Sequence, residues 1–96
     1  MKKFVFLYHA FPTQTEDTSA AWMAWFASVG DKMVDVGNPF GAGREVTKTG
    51  SKELSADSGA ASGYSIVNAN SFEEAEKILE GCPEIGSVRV YEAMPM

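Results

Sequence analysis

The chain is short of most residues that chemistry needs. Cys82 is its only cysteine, so no internal disulfide can form, and a lone thiol points to a reducing, cytoplasmic setting. His9 is its only histidine, so one residue carries an imidazole that ordinarily titrates near neutrality. One histidine and one cysteine do not make a metal site, and none is expected. Arginine is confined to Arg44 and Arg89, and the net charge is −5. With no basic stripe, a nucleic-acid partner is not expected. No apolar run approaches the ~20 residues of a membrane span. The start, Met1-Lys-Lys-Phe-Val-Phe-Leu-Tyr8, has the charge of a signal n-region. Its apolar run stops at Tyr8–His9 and no small-residue cleavage site follows, so neither export nor a membrane partner is expected.

What the chain does have is one domain's worth of patterned residues, 1–96. A domain of this size buries only roughly 60–65% of its unfolded surface, so association would be an economical way to bury more. Phe4 to Tyr8 is a continuous apolar and aromatic run, too short for a helix and read as a strand covered on both faces. Thr15 is the expected N-cap of a first helix running from about residue 16 to 35. Trp22, Trp25, Phe26, Val29, Met33 and Val36 fall on one of its faces, and Gly30 interrupts it. Gly37 and Asn38-Pro39 end that helix. Phe40 to Lys48 reads as a weaker strand, and Thr49 to Ser62, without an aromatic residue, as a loop or frayed hairpin.

The last third is the most legible. Gly63 to Asn70 reads as a strand, and Ser71-Phe-Glu-Glu74 matches a capping box. Ala75, Ile78, Leu79 and Cys82 form a helical apolar stripe, with Gly81 expected as a left-handed cap and Pro83 as a stop. Ser87 to Met94 is the closing strand. Strand–helix–strand twice over predicts an α+β, ferredoxin-like βαββαβ fold with an antiparallel sheet.

Trp22-Met-Ala-Trp-Phe26, Gly37-Asn-Pro-Phe-Gly41, Gly63-Tyr-Ser-Ile66 and Gly81-Cys-Pro83 occur in an order and spacing that resemble the YCII-related family of small proteins. The resemblance covers nearly the whole chain and lies nearest the branch sharing features with DGPF-domain proteins. It implies a ferredoxin-like fold that pairs sheet to sheet as a homodimeric α+β barrel, and a suggested His/Asp acid–base site. That pair does not carry over. The first helix has no histidine, Cys82 stands where the aspartate belongs before Pro83, and Gly37-Asn-Pro-Phe40 only echoes the Asp-Gly-Pro-Phe signature in a different place.

The remaining candidates are few. His9, at the end of a buried strand, is the candidate general base; Glu92 on the closing strand, or Asp31 or Asp35, would orient its ring. The bland alternative is a strand-end histidine bonded to backbone or water. Arg44 after Gly41-Ala-Gly43 could meet an anion, but no helix follows, so a phosphate loop and its cofactor are not expected. Tyr64 and Trp25 are candidate ligand-binding residues; Trp22, Trp25 and Phe26 read first as core or dimer wall and could also line an aromatic cavity. Cys82, past a helix C-terminus where a thiolate is disfavoured, reads as a buried hydrophobe. The expectation is a small enzyme-like or ligand-binding protein with a pocket between sheet and helices; the rival is a non-catalytic dimerisation or regulatory module.

Overall fold

A computed structural model describes residues 2–9, 16–54, 60–83 and 87–95. The chain runs β1 (Lys2–His9), α1 (Glu16–Val29), a 3-10 turn (Gly30–Lys32), β2 (Met33–Asp35), β3 (Gly43–Thr47), β4 (Gly50–Leu54), β5 (Gly63–Ala69), α2 (Phe72–Leu79) and β6 (Ser87–Ala93). Four strands form an open antiparallel sheet in the order β2-β5-β1-β6, and β3 and β4 form a separate two-stranded sheet. The fold is therefore mixed α+β, with β1 and β5 at the centre of the main sheet.

Strand alternation decides which side chains meet the helices. Phe4, Phe6 and Tyr8 of β1 and Ser65, Val67 and Ala69 of β5 are buried, in one core with Trp22 and Trp25 of α1 and Ala75 of α2. Phe4 meets Phe72 edge to face at 5.0 Å and Tyr8 meets Trp22 at 5.3 Å, so both helices cover the same face. The Trp25 indole N–H donates to the Ile78 carbonyl at 3.0 Å and ties α1 to α2. On the other face Val5 lies between Ile66 and Tyr91, and Leu7 between Tyr64 and Arg89. No described helix covers that apolar band.

The first helix is shorter than its periodicity predicts. It ends at Val29, and Gly30 at φ +61° leads into the 3-10 turn rather than a further helical turn. Met33 then pairs with Val67, so residues placed on the helix form an edge strand instead. A left-handed backbone cannot continue a right-handed ladder, and a 3.6-residue apolar period does not reveal where that happens. The segment read as a second sheet strand, Phe40 to Lys48, contains β3, but β3 pairs only with β4 in the outlying hairpin. Thr49 to Ser62 thus begins as the second arm of a hairpin, through Leu54.

The second half matches its expected elements, with two local differences. Ser71 Oγ accepts the Glu74 N–H at 3.2 Å, as a capping serine should, but Glu74 reaches back to the Asn70 N–H, at 3.3 Å, instead of that of Ser71. Gly81 does not adopt positive φ. The α2 end closes through i→i+3 bonds, Glu80 N–H to Lys77 and Cys82 N–H to Leu79. Gly81 instead lies against Trp25, where a Cβ would come within 3.3 Å of the indole. The expected cap Thr15 falls outside the described residues.

Candidate functional site

A pocket of about 210 Å³ opens where α1 meets the chain leaving β2. One wall is α1, through Trp22, Met23 and Phe26; the opposite wall is the segment from Val36 to Pro39; Tyr8 and the start of β5 lie between them. Trp22 and Phe26 are four residues apart and share a helix face, with their rings 5.8 Å apart.

The second wall is held by backbone and polar bonds. Asp35 Oδ1 accepts the Gly37 N–H at 2.8 Å, closing a turn. Gly37 has φ +77°, and any Cβ there would collide with the Tyr64 carbonyl, so only glycine lets the chain lie this close to β5. Pro39 bridges to Gly63, and Phe40 N–H donates to Ser62 at 2.8 Å. The result is a fixed wall rather than a free loop.

A buried polar chain runs beside the pocket. The Tyr8 hydroxyl donates to Ser65 Oγ at 2.8 Å, and Ser65 Oγ donates to the Val36 carbonyl at 2.7 Å. Burial pushes the Tyr8 phenol well above its ordinary value, against the smaller opposing pull of the Ser65 bond. It therefore stays protonated and donating throughout the neutral range. Tyr8 and Tyr64 are the only ionisable residues among the described lining. The arrangement can enclose an apolar group, and no Asp, Glu, His, Lys, Arg or Cys is on the described lining.

The sequence candidates are dispersed. His9 is buried at the end of β1 opposite Ser87, its Nδ1 3.1 Å from the Leu7 carbonyl. Glu92 lies opposite Phe4, five register steps down β6 from Ser87, which is roughly 17 Å of strand. Glu92 pairs with Lys2 at 3.7 Å. The closing strand does neighbour the first, yet its register keeps His9 and Glu92 apart. Asp35 is engaged by Gly37 and by the Tyr64 hydroxyl, at 3.2 Å. Arg44 stands exposed on the hairpin opposite Glu53, away from the pocket lining.

Tyr64 is on the lining, but strand alternation sends its side chain to the open face, where it stacks on Phe40 with centroids 5.6 Å apart. Trp25 is in the core with its N–H satisfied; the tryptophan at the pocket is Trp22, three residues earlier. Cys82 is half-buried, and burial pushes its thiol up to about 12. Tyr8, Val36 and Asn38 were missed as pocket residues. The available signal was Gly37-Asn-Pro39, a stop that also builds a wall. Among the described residues no cluster of three or more His, Cys, Asp or Glu is placed to hold a metal ion, and no helix is long and apolar enough to cross a membrane.

No protein-family model, curated protein or solved structure matches this chain.

Proposed function

We propose that this chain is a small-molecule-binding protein whose site is the pocket between α1 and the Val36 to Pro39 wall. The observation that carries this reading is the pocket itself: a preformed, aromatic-walled concavity with one wall held against β5 by a glycine that admits no side chain. Binding is favoured over catalysis because the described lining carries no carboxylate, imidazole, amine or thiol to serve as acid, base or nucleophile.

A panel of small metabolites screened by thermal unfolding tests it. A ligand at tenfold its Kd contributes about 1.4 kcal/mol, which in a domain of this size is a shift of several degrees. Met23→Glu, at an exposed wall position, should abolish the shift while leaving the unliganded fold intact. Shifts that survive Met23→Glu, or a panel without any, would overturn the reading.

The subunit is further proposed to be ferredoxin-like and YCII-related. Support comes from the strand order β2-β5-β1-β6 with helices following β1 and β5, an arrangement to which the β3–β4 hairpin is an addition. The second reading, a dimerisation module, is favoured by the sheet face bearing Val5, Leu7 and Ile66. A second copy of the same sheet would bury that band and complete a dimeric α+β barrel, and the two readings are compatible.

A further inference from the structure

We infer that the pocket takes an uncharged, flat molecule of one or two aromatic rings and discriminates against the same ring bearing a carboxylate. This rests on the pocket being a binding site and specifies what it selects. Size comes first. An engineered apolar cavity of about 150 Å³ admits benzene, so about 210 Å³ leaves room for a ring with a substituent or a second fused ring. Longer or branched ligands would have to project into solvent.

Wall chemistry comes second. Tyr8, Trp22 and Phe26 bring three aromatic rings to the pocket, with Met23, Val36 and Pro39 completing an apolar surface. Aromatic rings gain from edge-to-face and offset contacts that saturated rings of equal size lack.

Charge decides the rest. No Lys, Arg or His is on the described lining, and the chain as a whole is acidic, with net charge −5. A carboxylate entering the pocket would lose water without meeting a cation. Nor does the polar chain at its side offer hydroxyl protons, since Tyr8 O–H is given to Ser65 and Ser65 O–H to the Val36 carbonyl. Asn38 supplies the lining with a neutral carboxamide, suited to an N–H or carbonyl on a ring edge.

Matched probes test each part by calorimetry at pH 7: indole against indole-3-carboxylate, and phenol against cyclohexanol. Indole is expected to bind at least about tenfold more tightly than its carboxylate, and phenol about two- to tenfold more tightly than cyclohexanol. Val36 is 47% exposed and meets Ser65 through its carbonyl, so Val36→Arg should fold and place a cation on the wall. That variant should tighten indole-3-carboxylate relative to indole, and a carboxylate-to-indole affinity ratio unchanged from the wild type would count against the charge selection. Carboxylate binding equal to or tighter than indole in the wild type, lost in Met23→Glu, would overturn the charge selection while the binding reading stands. Equal affinity for phenol and cyclohexanol would overturn the aromatic selection. Failure of these probes together with the wider metabolite panel would overturn both the selection and the binding reading.

Discussion

The Tyr8 hydroxyl donates to Ser65 Oγ at 2.8 Å, joining two central strands through side chains 57 positions apart in the sequence. Ser65 passes a bond on to the Val36 carbonyl and so connects the sheet to the pocket wall. Both residues are buried, Tyr8 at 3% exposure and Ser65 at 0%, where polar groups are held by hydrogen bonds within the protein.

Ser65→Ala should therefore be the more damaging change at this pair. It removes both the acceptor of the Tyr8 hydroxyl bond and the donor to the Val36 carbonyl and should cost ~1–3 kcal/mol. Tyr8→Phe leaves Ser65 bonded to Val36 and should cost about 1 kcal/mol. Urea denaturation of the two variants gives the order, and a larger loss for Tyr8→Phe would contradict it.

Two glycines of positive φ should respond differently to alanine. At Gly30 (φ +61°) a Cβ meets open space, so Gly30→Ala pays only the left-handed penalty of ~1–2 kcal/mol. At Gly37 (φ +77°) the Cβ also strikes the Tyr64 carbonyl, so Gly37→Ala should lose more and displace the pocket wall. Denaturant midpoints that place the two variants level would refute the close approach.

The α2 cap predicts a graded pair. Ser71→Ala removes the acceptor for the Glu74 N–H and should cost ~1 kcal/mol, whereas Ser71→Asp should cap about equally well. Chemical denaturation showing equal damage from both would be inconsistent with the cap.

Cys82 supplies a pH dependence with a definite sign. Its thiol rises from 9.0 to about 12 in the fold because burial disfavours the thiolate. A raised folded value means the contribution is fully present below the unfolded pKa of 9.0 and is lost as pH climbs through about 12. Stability compared with Cys82→Ala across that window should show the steeper fall in the wild type. Tyr8, raised for the same reason, steepens the alkaline loss in both proteins. At pH 7 alkylation of Cys82 should be slow until the protein is unfolded.

Sheet parity sharpens the test of assembly. Val5 and Leu7 lie on the open face and Phe6 on the core face. If the open faces pair, the wild type sediments at twice the 10.3 kDa of one chain. Leu7→Glu should then give a folded species of single-chain mass, while Phe6→Glu should unfold the protein outright. A wild type that remains at single-chain mass at micromolar concentration would exclude the pairing.

Local signals determined the second half of this protein. Ser71 caps α2 and the Ala75–Ile78–Leu79 stripe packs on the core, because caps and apolar periods act over a few residues. The apolar run of β1 likewise specified a central strand whichever partners it found. The first half depended on contacts that the sequence order conceals. Gly30 ends α1 early, Met33 joins the sheet by pairing with Val67, and β3 finds β4 instead of the main sheet. Apolar spacing continued smoothly through Met33 and Val36 and could not register that break. The candidate site was the least legible part. Register sets His9 and Glu92 at opposite ends of one strand pair, and strand parity sends Tyr8 toward the helices and Tyr64 away from them. A pocket exists here because Gly37 permits residues distant in sequence to approach, and which residues those are is settled only when the strands align.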